Sequence, residues 1–243
     1  MGGIVSYRST GTSRFYLYMA MLFIAIAIAG FSTTFFIPLA RGTYSAPLII
    51  HVHGALLFAW LILLLTQAAL IQSRNTLTHR RIGWLGALIA AAIIISGVLV
   101  GAFATRRDLA AGGGDWLFGS FLNTIIEMIL FGSLVGAAIL YRRRTEIHKR
   151  LLLIATILIL APAWFRFRHF MPFVPNPFVT FSYVADGVLL VPIFRDWILF
   201  KRVHPVYLWA GGTIFVIHII MQLVMEGRLW ESMGRWLLSI PAV

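Results

Sequence analysis

The stretch PLIIHVHGALLFAWLILLLTQAALIQ runs from Pro47 to Gln72 without a charged residue. An α-helix of about 20 residues crosses the hydrocarbon core of a bilayer, so this stretch is long enough to span it. Lipid offers no water to the backbone, and a spanning segment therefore has to satisfy its own N–H and C=O groups as a helix. The stretch predicts a membrane-spanning α-helix rather than part of a water-soluble fold.

Further apolar runs of similar length lie on both sides of this stretch. The chain has 243 residues, of which 60% are hydrophobic and 12% are charged. We therefore expect one transmembrane domain, an all-α polytopic integral membrane bundle of about seven helices. The expected spans are residues 14–38, 47–72, 79–101, 116–141, 148–165, 177–200 and 204–226. The tail from Gly227 alternates apolar with charged residues, as in a short helix lying on a membrane surface.

Basic residues are divided unevenly between the two sets of loops that these spans create. Of the 20 Lys and Arg residues, thirteen lie on the side of the N-terminus and seven on the other side. The positive-inside rule then places the N-terminus in the cytoplasm and the C-terminus outside, in the inner membrane of a bacterium. The first run also resembles a secretory signal peptide at Ala27-Ile28-Ala29, but its apolar residues continue to Pro38, which favours a retained helix.

Composition excludes several classes of function. The net charge is +12, but the basic residues form clusters between apolar runs, so we expect no nucleic-acid partner. The chain contains no cysteine, which excludes disulfides, thiolate metal sites and thiol catalysis. The last expected span contains no lysine, and a light-driven pump with a retinal Schiff base is therefore excluded as well.

Each of four expected spans carries an ionisable residue well inside the bilayer, where burying it is costly. These residues are His53, Glu127, Asp186 and His218. Counting about 1.5 Å per residue from the outer helix ends places all four between about 9 and 16 Å deep, so they are expected to meet at a similar depth. His51 is two residues from His53 and faces a different side of the same helix, so at most one of this pair is expected to be a primary ligand.

Two imidazoles and two carboxylates suit a non-haem metal ion such as iron, zinc, manganese or copper. The predicted metal ligands are His53, His218, Glu127 and Asp186, with His51 as a further candidate. In an enzyme, Glu127 and Asp186 would also act as catalytic bases and Tyr183 could supply a proton. The alternative is that these residues form hydrogen bonds between helices and only fix packing.

Histidines and arginines near the helix ends form a second group of candidates. His79, His148 and His204 each begin a span among basic residues, where they serve as ligands or as ordinary interfacial residues. Arg166 and Arg168 form a basic patch on the opposite, outer side. Such a patch could bind lipid headgroups, haem propionates or an anionic substrate, or simply anchor the helix at the interface.

Part of the chain resembles a known family. The residues His53…Gln67-Ala68-Ala69-Leu70…Arg74…His79-Arg-Arg-Ile-Gly83 resemble the ascorbate-reducible type of di-haem transmembrane cytochrome b, over about residues 53–101. In that family alternate helices pair histidines around a haem on each side of the membrane. The resemblance implies that His79 and His148 bind haem b on the cytoplasmic side, with His53 as the first member of an outer pair.

The expected span 116–141 departs from that family because it contains no histidine and offers Asn123 and Glu127 instead. A second, outer haem would then need His218 or another partner. The His-Arg-x-x-Gly helix start also resembles many uncharacterised bacterial multi-pass proteins, for which the resemblance implies no activity.

These observations favour a membrane-embedded redox protein that holds a non-haem metal or haem in the outer half of the bilayer. It would act on a lipophilic substrate or quinone, or carry electrons, and its partners would include the lipid bilayer and other membrane subunits. A proton-coupled transporter using Glu127, Asp186 and His218 is one alternative. A structural or assembly subunit of a larger membrane complex is another, and the sequence leaves open whether the protein is an enzyme.

Overall fold

The computed structural model describes residues 10–240, and the described residues form helices and loops without any strand. The all-α class is therefore confirmed. The helices are α1 (Thr10–Phe31), α2 (Ile37–Ala40), α3 (Leu48–Gln72), α4 (Thr76–Ala110), α5 (Trp116–Leu140), α6 (Thr145–Ile159), α7 (Ala161–Phe165), α8 (Pro177–Gly187), α9 (Leu190–Phe200), α10 (Gly212–Val224) and α11 (Arg228–Leu238). A π-helical turn, Ser32–Phe36, joins α1 to α2, and another, Tyr207–Gly211, leads into α10.

Within residues 10–240, seven segments are long and apolar enough to cross a membrane, as the sequence predicts. They are Arg14–Ala40, Leu48–Gln72, Thr76–Ala110, Trp116–Leu140, Thr145–His169, Pro177–Phe200 and Tyr207–Val224. The third is longer than expected. It begins early because the side chain of Asn75 caps its first turn by accepting a hydrogen bond from the backbone N–H of Thr78 (3.1 Å). It also continues past Arg107 and Asp108, which pair on its exposed surface.

Two expected spans are interrupted rather than continuous. The fifth breaks at Leu160, between α6 and α7, where Pro162 lacks the N–H that would continue the helix. The sixth breaks at residues 188–189, between α8 and α9, two residues after Asp186. Pro192 again removes an N–H from the first turn after the break. Both breaks therefore divide a spanning segment into two short helices.

Successive segments run in opposite directions, so the basic turns of the sequence collect at one end of the bundle. We call this the basic end, and define it by residues 73–75, 141–144 and 201–204. A buried ion pair holds it together, because Arg150 Nη2 on α6 lies 2.8 Å from Asp196 Oδ2 on α9. Arg150 is fully buried and also contacts Glu146 Oε2 at 2.5 Å. The guanidinium also lies over the ring of Tyr207.

The tail forms the predicted short helix, α11, which packs along the first turns of α5. A side chain on Gly234 would collide with the backbone of Phe118, and one on Gly119 would collide with the backbone of Met225, so glycine permits close approach at both positions. Trp230 Nε1 donates a hydrogen bond to Asn123 Oδ1 (2.9 Å). The tail is therefore anchored to the bundle rather than lying apart from it.

The buried pair at the basic end predicts a stability difference between two aspartate variants. Asp196→Ala leaves a fully buried guanidinium with less compensating charge, and losing a partner of this kind costs about 3–5 kcal/mol. Asp108→Ala is the matched control, because its pair with Arg107 is exposed and worth about 0–1 kcal/mol. Thermal unfolding of the detergent-solubilised protein measures both. Equal midpoints for the two variants would contradict a stabilising role for the buried pair.

Candidate functional site

A cavity of about 1400 Å³ lies between α3, α4, α5 and α6 near the basic end. This volume exceeds the roughly 300–1,000 Å³ of ordinary small-ligand sites. We call it the basic-end cavity. Its lining includes Tyr16, Trp60, Leu64, Gln67, His79, Val135, His148 and Leu153. An apolar cavity of this size with two histidines in its wall can hold a large, flat prosthetic group.

His148 presents one defined nitrogen to this cavity. It lies in the first turn of α6, and its Nδ1 is 2.8 Å from the backbone carbonyl of Ala138, near the end of α5. A carbonyl only accepts hydrogen bonds, so Nδ1 carries a proton, and in the neutral ring Nε2 is then the nitrogen with the lone pair. Metal-binding histidines are commonly oriented in this way, because the hydrogen bond fixes the ring and raises the basicity of the free nitrogen.

His79 and Gln67 bring further polar groups to the same wall. His79 lies in the first turn of α4, its Nδ1 is buried without a hydrogen-bond partner, and its imidazole lies close to the backbone of Gln67. Both polar atoms of the Gln67 side chain are also buried without a hydrogen-bond partner. Buried polar groups are nearly always satisfied, so these atoms indicate a ligand or water in the cavity.

The rim of the basic-end cavity is strongly positive. Besides Lys149, which pairs with Glu146 at 2.6 Å, it carries four arginines. They are Arg74, Arg80, Arg142 and Arg143. Guanidinium groups pair well with carboxylates, so the rim suits a ligand that is apolar in its centre and anionic at its edge.

Arg166 and Arg168, which the sequence predicts as cofactor-binding residues, lie at the opposite end of the bundle. Arg166 Nη1 donates to the carbonyl of Pro162 (2.7 Å), and Arg166 borders a second, smaller cavity. Arg168 Nη1 donates to the carbonyl of Phe165 (3.0 Å), and its guanidinium covers the Phe165 ring. Neither arginine lines the basic-end cavity.

The second cavity has a volume of about 270 Å³ and contains a buried triad of ionisable side chains in its wall or directly behind it. We call it the distal cavity. His218 on α10 lies between two carboxylates: its Nδ1 is 2.9 Å from Asp186 Oδ2 on α8, and its Nε2 is 3.0 Å from Glu127 Oε1 on α5. His218 is only 7% exposed. The predicted convergence of these three residues is thus observed.

The two contacts of His218 indicate its charge. Both ring nitrogens face carboxylate oxygens, which accept hydrogen bonds when ionised, so an imidazolium with two N–H groups satisfies the arrangement best. The contact from Nε2 to Glu127 lies outside hydrogen-bond geometry, and Glu127 Oε2 is buried without a partner. Glu127 is therefore the less engaged carboxylate, and it faces the distal cavity.

His53 lines the distal cavity from α3. Its Nδ1 lies 2.9 Å from Ser96 Oγ on α4, and that hydroxyl also lies within donor distance of the carbonyls of Ala92 (2.7 Å) and Ile93 (3.2 Å). With the hydroxyl proton directed to Ala92, the shortest of these contacts, Ser96 accepts from His53 Nδ1 and the neutral imidazole keeps a lone pair on Nε2. Ser96 was not predicted from the sequence, because a lone serine in an apolar helix gives no signal of its partner.

The structure does not arrange the predicted metal ligands His53, His218, Glu127 and Asp186 around one point. Among residues 10–240, no three His, Cys, Asp or Glu side chains are placed to hold one metal ion. Both nitrogens of His218 face carboxylates, so His218 is also not open to act as the second ligand of an outer haem with His53. The distal site therefore consists of His218 paired with Glu127 and Asp186, with the neutral imidazole of His53 beside them.

Two further predicted residues do not join either cavity. His51 packs edge-on against Tyr44 and Phe35, with ring centroids 5.4 and 6.1 Å away. Tyr183 packs against Phe215, with ring centroids 5.9 Å apart. His204, the third histidine of the basic turns, also lies outside both cavities. Burial lowers the pKa of His204, and its Nδ1 accepts a hydrogen bond from the backbone N–H of Val206 (3.3 Å).

No protein-family model, curated protein or solved structure matches this chain.

The hydrogen bonds predict distinct protonation states for two histidines of the distal site. We expect both nitrogens of His218 to carry protons at neutral pH, whereas His53 carries one proton, on Nδ1. Imidazole ¹⁵N chemical shifts of histidine-labelled protein measure this, with His218→Gln and His53→Gln assigning the signals. His51→Gln is the control and should leave both patterns unchanged. A bare ring nitrogen on His218 would contradict the ion-paired triad.

Proposed function

We propose that this chain is an integral membrane haem protein that carries electrons, with haem b bound in the basic-end cavity between His79 and His148. One observation carries the proposal: histidines from two helices line a single large apolar cavity, and one of them has its Nε2 lone pair defined by a backbone hydrogen bond. The resemblance of residues 53–101 to di-haem cytochrome b independently implies the same two ligands.

The other residues of the cavity fit this group. The four rim arginines would pair with the two propionates, and Trp60, Leu64 and Val135 would pack against the macrocycle. The unpartnered amide of Gln67 would find a polar partner at the edge of the ligand. Because the chain has no cysteine, the group would be held by ligation and packing alone. Haem bound in this way supplies one-electron redox chemistry, at a potential set by its axial ligands and its burial.

Hydrogen bonds and packed rings fix the wall of the basic-end cavity and keep water out of it. The hydrogen bond to the Ala138 carbonyl holds the His148 ring in one tautomer, and Trp60 is fixed in the wall by a hydrogen bond from its Nε1 to Thr156 Oγ1 (3.0 Å). Trp60 also packs edge-on against Phe131, with ring centroids 5.2 Å apart. These buried rings exclude water from the side of the cavity that faces the middle of the bundle.

Membrane insertion and topology belong to the same proposal. Seven segments have the length and composition of spanning helices, and many large apolar side chains on their outer faces are exposed. The excess of Lys and Arg on the loops of the basic end supports a cytoplasmic location for that end. The protein would then take part in electron transfer at the cytoplasmic membrane of a bacterium.

A reduced-minus-oxidised visible spectrum of the protein, purified in mild detergent from haem-supplied cells, tests the haem. We expect a b-type band in the wild-type protein and its loss in His79→Ala and His148→Ala, because each substitution removes an axial ligand. His51→Ala is the matched control and should retain the band, because His51 lies outside both cavities.

A His148→Gly variant separates ligand loss from misfolding, since added imidazole can enter the space left by the side chain and restore the band. A wild-type protein without the band, or unchanged haem content in both ligand variants, would overturn the proposal.

Proton-coupled transport is a second candidate, and the interrupted helices favour it. Transporters often place substrate sites where spanning helices are broken, and here both breaks lie beside the triad: Ala161 and Pro162 line the distal cavity, and Asp186 precedes the second break. If this function holds, the interior of proteoliposomes should acidify when a gradient is imposed across their membrane. Asp186→Asn should abolish this proton flux. Equal proton flux in empty and protein-containing liposomes would exclude it.

A further inference from the structure

The distal cavity has the size of a single substituted ring. An apolar cavity of about 150 Å³ accommodates benzene. The distal cavity, at about 270 Å³, is larger than this but about one fifth of the volume of the basic-end cavity. Its apolar walls come from Leu57, Ile93, Met128, Leu158, Phe165 and Phe178. These dimensions suit the head of a lipophilic aromatic molecule and leave no room for a second haem.

Two residues with hydrogen-bond acceptors line this cavity from different helices, His53 on α3 and Glu127 on α5. His53 Nε2 has a lone pair, because Ser96 fixes the proton on Nδ1. Glu127 Oε2 is buried and has no hydrogen-bond partner. A ligand that satisfies both must bring two donors, and a ring with two hydroxyl groups does so without adding charge.

The charges around the cavity disfavour a cationic ligand. Arg166 lines it, and the His218 imidazolium lies directly beside Glu127. A metal ion or a protonated amine would therefore meet positive charge on two sides. A neutral molecule dissolved in the bilayer meets no such barrier, since its apolar surface packs against the walls.

We propose that the distal cavity binds and oxidises a lipid-soluble quinol, a step that rests on the proposed haem function for its electron acceptor. The two hydroxyl groups lose their protons, one to His53 Nε2 and one to the Glu127 carboxylate. Haem b held by His79 and His148 would take up the two electrons one at a time, and a one-electron acceptor at the basic end would reoxidise it after each transfer. The product is the quinone, so two electrons and two protons leave per quinol.

The surrounding residues have defined parts in this step. The His218 imidazolium stabilises the Glu127 carboxylate as a proton acceptor, and Asp186 holds the imidazolium in place from the other side. Along α3, Trp60 in the wall of the basic-end cavity is seven residues from His53, a rise of about 10 Å. The two cavities are therefore close neighbours, separated by buried apolar side chains.

The test uses haem-loaded protein in lipid nanodiscs mixed with decyl-ubiquinol, with haem reduction followed by the visible band. We expect Glu127→Gln and His53→Gln to slow reduction by quinol about 100-fold, because each removes a general base. Reduction by dithionite should reach the same extent in every variant, which shows that the haem site is intact. His51→Gln is the matched control and should reduce at the wild-type rate. Wild-type rates in both base variants would overturn the proposal.

A second measurement separates this proposal from the haem proposal. Anaerobic isothermal titration calorimetry with decyl-ubiquinol, in dithionite so that no electron transfer occurs, reports binding whether or not haem is present. Saturable binding to the wild-type protein that is lost in the two base variants supports the distal site even if dithionite reveals no haem. Absence of saturable binding to the wild-type protein overturns the quinol site, whatever the haem content.

Discussion

A charged side chain buried between apolar helices is stable only beside a partner on another helix, and this constraint organises the bundle. His218 on α10 lies between carboxylates on α5 and α8, and Arg150 on α6 pairs with Asp196 on α9. Apolar side chains alone would let neighbouring helices rotate or slide with little penalty. The ion pairs specify which faces of these helices meet, and both cavities follow from that arrangement.

The two cavities differ because their histidines have different partners. His148 donates to a backbone carbonyl, which leaves one ring nitrogen available to the basic-end cavity. His218 has carboxylates on both nitrogens and is engaged on both sides. His53 resembles His148 in having one nitrogen free, but it faces a much smaller space. The same residue type is therefore suited to ligation in one place, to charge stabilisation in another and to proton transfer in a third.

Among residues 10–240, hydropathy predicted the seven long apolar segments and the tail helix, because each depends mainly on local composition. Depth counting also predicted that Glu127, Asp186 and His218 would meet. It did not predict that His218 would be enclosed by both carboxylates, since that depends on the rotation of three helices about their axes. Rotation also places Tyr183 away from the distal cavity. The break at residues 188–189 was missed because the hydrophobic pattern continues through it.

The close packing of α11 on α5 has a consequence for biosynthesis. Gly119 and Asn123 leave the ribosome more than 100 residues before their partners Met225 and Trp230. Until residues 225–230 have been synthesised, one face of α5 carries an amide without its partner and an exposed glycine surface. The packing of α5 is therefore completed only after α11 has been made.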